Sequence, residues 1–80
     1  MIRYARAYFN LGKLFAGQGN FSSAVENFRQ ALQIQPGLPE IHEQLARALA
    51  LQGKKEEALQ HYREAVRLVK SRREEFERGK

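Results

Sequence analysis

The sequence repeats itself at an offset of 34 residues, which favours an architecture built from two copies of one unit. Some residues that are 34 positions apart are identical, and others preserve size or character, such as Phe28 and Tyr62. A four-helix bundle whose periodicity coincides by chance is the alternative, but a bundle has no reason to repeat at this spacing. The identical pairs are Leu11 with Leu45, Ala16 with Ala50, Gln18 with Gln52, Gly19 with Gly53, Ala24 with Ala58, Arg29 with Arg63, and Ala31 with Ala65.

Prolines and glycines divide the chain into four segments, and each segment has apolar residues at helical spacing. No segment alternates with period two, so the pattern predicts an all-α chain. Asn20 is a suitable N-cap for the second helix, and Pro39 suits the first turn of the third. The segments run from about Arg3 to Gln18, from Asn20 to Ile34, from Pro39 to Gln52, and onwards from the Gly53-Lys54 turn.

The outer helices carry apolar residues that we expect to face the core. In the first segment these are Tyr4, Ala7, Tyr8, Leu11, Leu14 and Phe15. In the fourth segment they are Ala58, Leu59, Tyr62, Ala65, Val66 and Val69.

The repeat resembles the tetratricopeptide repeat family, residue by residue. In the first copy, the family's signature positions hold Tyr8, Leu11-Gly12, Phe15, Ala24, Phe28, Ala31 and Pro36. The second copy retains Leu45, Ala46, Leu49, Ala58, Tyr62 and Ala65. It departs from the family where His42 replaces the leading aromatic residue and Lys70 replaces the closing proline. We therefore expect one domain of two helical hairpins, residues 5–38 and 39–72, with a polar helical extension over residues 70–80.

The resemblance implies a non-enzymatic scaffold that binds a protein, as an extended peptide or a helix, in a concave groove lined by the first helix of each hairpin. The carboxylate clamp of some family members is not expected, because Phe9 and Lys13 occupy the positions of its lysine and asparagine. We expect Glu40 and Glu43 to neutralise the groove by pairing with its cations. The candidate binding residues are Arg6, Phe9, Asn10, Lys13, Glu40, Glu43, Gln44 and Arg47.

Two further interpretations stay open. Two hairpins are fewer than the three or so repeats that usually form a stable stack, so the end faces are candidates for homo-oligomeric stacking. Alternatively, the chain is the accessory segment of a larger protein, whose catalytic domain lies elsewhere. A start at Met1, directly inside a helical pattern, suits such a fragment.

The net charge of +5 does not predict nucleic-acid binding, because the excess lies at the two ends of the chain. No basic stripe interleaved with aromatic residues follows one face. The sequence predicts neither a signal peptide nor a membrane span. The absence of cysteine excludes disulfides and mildly favours a reducing compartment such as the cytoplasm.

The sequence predicts no catalytic, cofactor or metal site. His42 and His61 are the only histidines, and because they lie on different predicted helices, neither has a histidine at metal-ligand spacing. We expect His42 to fill an interface position against the second helix. Glu57 and Glu64 flank His61 one helical turn away on either side, an arrangement more typical of surface pairing than of metal binding.

Overall fold

The computed structural model describes residues 4–79, which form four α-helices and no strand. The all-α prediction is therefore confirmed over that range. Arg3 and Lys80, which the sequence analysis placed in the first helix and the extension, lie outside the described residues. The helices are α1 (Ala5–Gly17), α2 (Phe21–Ile34), α3 (Pro39–Leu51) and α4 (Lys55–Arg78).

The predicted helix signals lie where the helices begin and end. The Asn20 side chain accepts a hydrogen bond from the Ser23 backbone N–H at 3.3 Å, so it caps α2. Pro39 occupies the first turn of α3. Gly19 and Gly53 have φ angles of 80° and 85°, a left-handed conformation that glycine adopts without strain. The two hairpins therefore turn in the same way at equivalent positions.

The helices pack as two antiparallel hairpins, α1 with α2 and α3 with α4, and α2 joins the hairpins by packing against α3. The largest fully buried side chains are Phe28, Ile41, Leu45 and Leu49. Three of these belong to α3, so the core is centred on the junction between the two repeats. Gly12 of α1 is buried beside Phe28, which explains why this position is small.

The helix α4 is 24 residues long and continues past Lys70 to Arg78. The loss of the closing proline explains this, since no residue after Lys70 interrupts the backbone hydrogen bonds until Gly79. Every described residue from Val69 onwards is exposed. The helical extension expected at the C-terminal end is thus present, and it makes few contacts with the core.

The structure corrects the predicted buried face of α1. Ala5 and Gly12 are buried and Tyr8 and Phe15 are half-buried, so this side packs against α2. The other apolar residues assigned to the core are exposed instead. They form what we call the N-face: Tyr4, Ala7, Leu11 and Leu14.

The helix α4 shows the same division. Its small residues Ala58 and Ala65 are buried against α3. Its larger apolar residues are exposed and form what we call the C-face: Leu59, Tyr62, Val66 and Val69.

Candidate functional site

The helices α1 and α3 contact each other, and residues of both line two depressions, which we together call the groove. Of the eight candidate residues, Phe9 and Gln44 are half-buried. The other six are exposed: Arg6, Asn10, Lys13, Glu40, Glu43 and Arg47. They do not form a single site, because they are distributed over separate depressions.

The first depression has a cavity volume of about 290 Å³ and lies between the N-terminal halves of α1 and α3. It brings together three candidates, Arg6, Phe9 and Glu40. Gln35 and Leu38, from the connection between the hairpins, complete the wall. Sequence reasoning missed these two residues because they belong to a connection, and a helical pattern does not indicate which way a connecting segment faces.

The second depression has a cavity volume of about 350 Å³ and lies between the C-terminal halves of the same helices. It brings together Lys13, Gln44 and Arg47 with the apolar residues Phe21 and Leu51. Both charged residues in its lining are cations. This depression therefore offers an apolar floor beside two positive charges.

Two candidates lie outside both depressions. Asn10 is exposed on α1 but lines neither of them. Glu43 lies in a different hollow of about 450 Å³, together with Pro39 and the C-face residues Tyr62, Val66 and Val69. Glu43 thus borders the apolar end of the molecule.

Phe9 is held by its own hairpin. Its ring lies 5.8 Å from the ring of Phe28, tilted by 50°, and the Lys13 ammonium lies 5.2 Å from the centre of the Phe9 ring. Phe9 therefore packs on the core of the first repeat, and its half-buried side chain also lines the first depression.

The expected neutralisation of the groove by ion pairing is not seen. In the described part of the chain, no ion pair within 4.0 Å joins Arg6, Lys13 or Arg47 to a carboxylate. The ion pairs that are present join other residues. Arg29 pairs with Glu57 at 2.5 Å, Arg67 with Glu64, and Arg73 with Glu77 at 3.5 Å. Carboxylates in the described part of the chain therefore do not neutralise the cations of the groove.

The two histidines, which the sequence analysis treated as separate, face each other. Their Nδ1 atoms are 3.2 Å apart, and the His42 Nε2 atom lies 2.9 Å from the Pro36 carbonyl oxygen. Because a carbonyl only accepts, Nε2 of His42 carries the proton, and its Nδ1 then accepts from the Nδ1–H of His61. The folding of α3 against α4 creates this pair, which no spacing within a single helix could have indicated.

Burial lowers the pKa of His61, and the neighbouring His42 lowers it further. Glu57 and Glu64 act in the opposite direction, while Arg29 adds to the lowering. The hydrogen bond from Arg67 lowers the pKa of the Glu64 carboxyl, so Glu64 remains ionised near neutral pH. The lowering by burial and by His42 outweighs the effect of the two carboxylates, so the neutral form of the His61 imidazole is favoured.

No three histidine, aspartate or glutamate side chains converge on a common point within residues 4–79. None of the helices in that range is long and apolar enough to cross a membrane.

The N-face and C-face are related to buried surfaces by the 34-residue repeat. Leu11 on the N-face is 44% exposed, whereas its counterpart Leu45 is 0% exposed between the hairpins. Tyr62 on the C-face is 37% exposed, whereas its counterpart Phe28 is 0% exposed. Each end of the molecule thus presents one half of the interface that joins the two repeats internally.

Comparison with known proteins is consistent with this architecture. The family model described as Tetratricopeptide repeat matches residues 9–72. A crystal structure of MamA is similar with a TM-score of 0.85 and 24% sequence identity over 89% of this chain and 42% of that chain. The structure titled MamA MSR-1 C2 has a TM-score of 0.80 and 30% identity, over 84% of this chain and 38% of that chain. The chain spans about two fifths of the length of these structures. No curated protein sequence matches it.

Proposed function

Because the chain belongs to the tetratricopeptide repeat family, we propose that it is a protein-binding module whose concave groove receives a peptide segment of a partner. The family is generally a non-catalytic protein-interaction repeat. The observation that carries it is the pair of depressions between α1 and α3, which are lined by cations without ion-pair partners.

The charges of the groove favour an acidic peptide that also carries apolar side chains. Lys13 and Arg47 supply positive charge beside the apolar side chains of Phe21 and Leu51. A carboxylate of the peptide would form a charge-assisted hydrogen bond with Arg47, while an adjacent apolar side chain would cover Phe21. Glu40, at the other end of the groove, would repel a second acidic residue and so set the direction of the peptide.

Selection of random displayed peptides on the immobilised protein tests this proposal. We expect enriched peptides to combine acidic and apolar residues. Their affinity, measured by fluorescence anisotropy, should fall at least about tenfold for Lys13→Glu and for Arg47→Glu, as expected when an attractive charge is replaced by a repulsive one.

Arg63→Glu is the matched control, because Arg63 is an exposed cation on α4 outside both depressions. The affinity of the Arg63→Glu variant for the selected peptides should stay close to that of the wild type. Equal weakening by all three substitutions would indicate attraction by overall charge instead of binding in the groove.

The end faces support a second candidate function, namely head-to-tail assembly with further copies of this chain. The four N-face residues are exposed, although their counterparts, Leu38 and three residues of α3, are half-buried or buried at the junction between the repeats. Helix α1 of a second copy would pack against the C-face in the same way that α3 packs against the first repeat. Such a contact joins two different surfaces, so it leaves one face open at each end and allows growth.

Mixing two blocked variants tests the assembly. Leu11→Glu places a charge on the N-face, and Val66→Glu places one on the C-face. We expect each variant alone to be monomeric by light scattering, because every contact needs both faces. A mixture should form a one-to-one dimer and nothing larger, while the wild type should grow with concentration.

A wild-type chain that stays monomeric at high concentration would contradict self-assembly. In that case the two faces would be left for repeats supplied by a longer protein. Peptide selection on the groove is unaffected by that outcome, so the two candidate functions are tested separately.

A further inference from the structure

We propose that His42 and His61 form a binding site for a divalent transition-metal ion such as Zn²⁺, which is held between their Nδ1 atoms with solvent completing its coordination. This site goes beyond the proposed protein-binding function and does not depend on it. It uses a pair of side chains to which neither the groove nor the end faces assign a role.

The separation of the two nitrogens fits a shared ion. Zinc binds histidine nitrogen at about 2.0–2.1 Å, which places two ligands of a tetrahedral ion roughly 3.3 Å apart. The Nδ1 atoms of the pair are 3.2 Å apart before any ion is added. Small rotations of the rings would therefore direct both lone pairs at one ion, without movement of the helices.

The orientation of His42 is already that of a metal ligand. Histidine ligands usually donate their second ring N–H to a carbonyl or carboxylate, which fixes the ring and leaves the other nitrogen free to bind. The His42 Nε2 atom lies 2.9 Å from the Pro36 carbonyl oxygen. His61 would transfer its proton from Nδ1 to Nε2, so binding of the ion to the neutral pair requires no net loss of a proton.

The surroundings allow an ion to enter. His42 is buried, but His61 is only half-buried, so solvent reaches the pair from the side of His61. Glu57 and Glu64 are close enough to influence the charge of His61, and they would offset part of the positive charge of the ion. Arg29 and Arg67 hold these carboxylates, which leaves the remaining coordination positions to water.

Titration of the whole chain with ZnCl₂ tests the site. We expect calorimetry to show one Zn²⁺ per chain, and excess Zn²⁺ to raise the unfolding temperature because the ion bridges α3 and α4. The chain has only two histidines. NMR of ¹⁵N-labelled imidazoles should therefore show both Nδ1 signals moving with the ion and returning on addition of EDTA.

The variants His42→Gln and His61→Gln should each weaken Zn²⁺ binding at least tenfold and abolish the rise in unfolding temperature. His61 is half-buried, so its variant remains decisive if His42→Gln fails to fold. Glu26→Gln, which removes an exposed carboxylate of α2, is the control and should bind like the wild type. Absence of binding, binding that survives His61→Gln, or NMR shifts confined to Nε2 would overturn the proposal.

Discussion

At the scale of single residues, the closest steric constraint lies between Gly12 and Phe28. A Cβ atom added to Gly12 would lie 2.5 Å from Phe28 Cε1 and 2.6 Å from Cδ1, and the Phe28 ring is fully buried. We expect Gly12→Ala to lower the free energy of unfolding by about 1–2 kcal/mol, since overpacking outweighs the gain in helix propensity. Urea unfolding measures the change.

Gly17→Ala is the control for that substitution, because nothing lies within 4 Å of its added Cβ and the residue ends α1. It should stabilise the protein by a few tenths to about 1 kcal/mol through helix propensity alone. If both alanines stabilised the protein, the close contact with Phe28 would not be the reason for glycine at position 12.

His61 should make stability depend on pH in one direction. Its lowered pKa means that the unfolded chain binds the proton more readily than the folded chain does. The contribution of neutral His61 is therefore complete above its ordinary pKa of about 6.5 and is lost as the pH falls towards the folded value. Thermal unfolding of the wild type and of His61→Gln checks this. A decline of equal size between pH 7 and pH 5 in both proteins would exclude His61 as its source.

The sequence predicted residues whose role is local and missed those whose role depends on packing. Asn20, Gly19 and Gly53 act within one helix end or turn, so the residue type alone was sufficient to predict their roles. The contact between His42 and His61 joins two helices at 3.2 Å, and a pattern along the chain carries no information about such a distance. The groove candidates were chosen by family position, which placed Arg6 and Lys13 correctly on the surface but could not show their lack of ion-pair partners.

At the scale of helices, α1 and α3 show why an apolar pattern predicts a helix better than it predicts what the helix buries. Both carry apolar residues on two sides. In α3 both sides are covered, by α2 and by α4, whereas α1 is covered by α2 but leaves the N-face exposed. The apolar pattern indicates which surfaces of a helix can be buried. The helices that are present in the structure determine which of those surfaces are buried.

The length of α4 should depend on the residue at position 70. Lys70→Pro would restore the residue that ends α2, remove one backbone hydrogen bond and clash with the preceding turn. We expect the helix to end near Leu68 and the helical signal of residues 69–78 to disappear from the circular dichroism spectrum. The hydrogen bond from Arg72 to the Gly37 carbonyl, 3.4 Å long, should be lost with it.

Lys70→Ala removes the same charge but retains the backbone hydrogen bond, so it should keep the full helical signal. Because the extension is exposed, neither substitution should unfold the core. Cooperative unfolding of the whole domain by Lys70→Pro would show that the extension supports the core.

At the scale of the whole molecule, the repeat pairs each residue of one hairpin with an equivalent residue of the other hairpin. A substitution in one hairpin therefore has a matched control at the equivalent position. Leu45→Ala removes a side chain buried between the hairpins and should lower the free energy of unfolding by about 2–5 kcal/mol. Leu11→Ala makes the same change at the exposed N-face and should cost less than about 1 kcal/mol in dilute solution. Urea unfolding of both measures the difference. Equal costs would mean that the N-face is covered in solution.

The flat shape of the domain, 44 × 35 × 18 Å, follows from helices that pack mainly on their neighbours in the chain. Within residues 4–79, α1 and α4 do not pack against each other, and α2 and α3 alone have packed helices on two sides. The backbone amides of α1 and of the free end of α4 can therefore exchange their hydrogens through fraying that leaves the centre closed. Exchange with heavy water should be slowest around Phe28 and Leu45 and should quicken towards both ends, so the chain opens from its ends inwards.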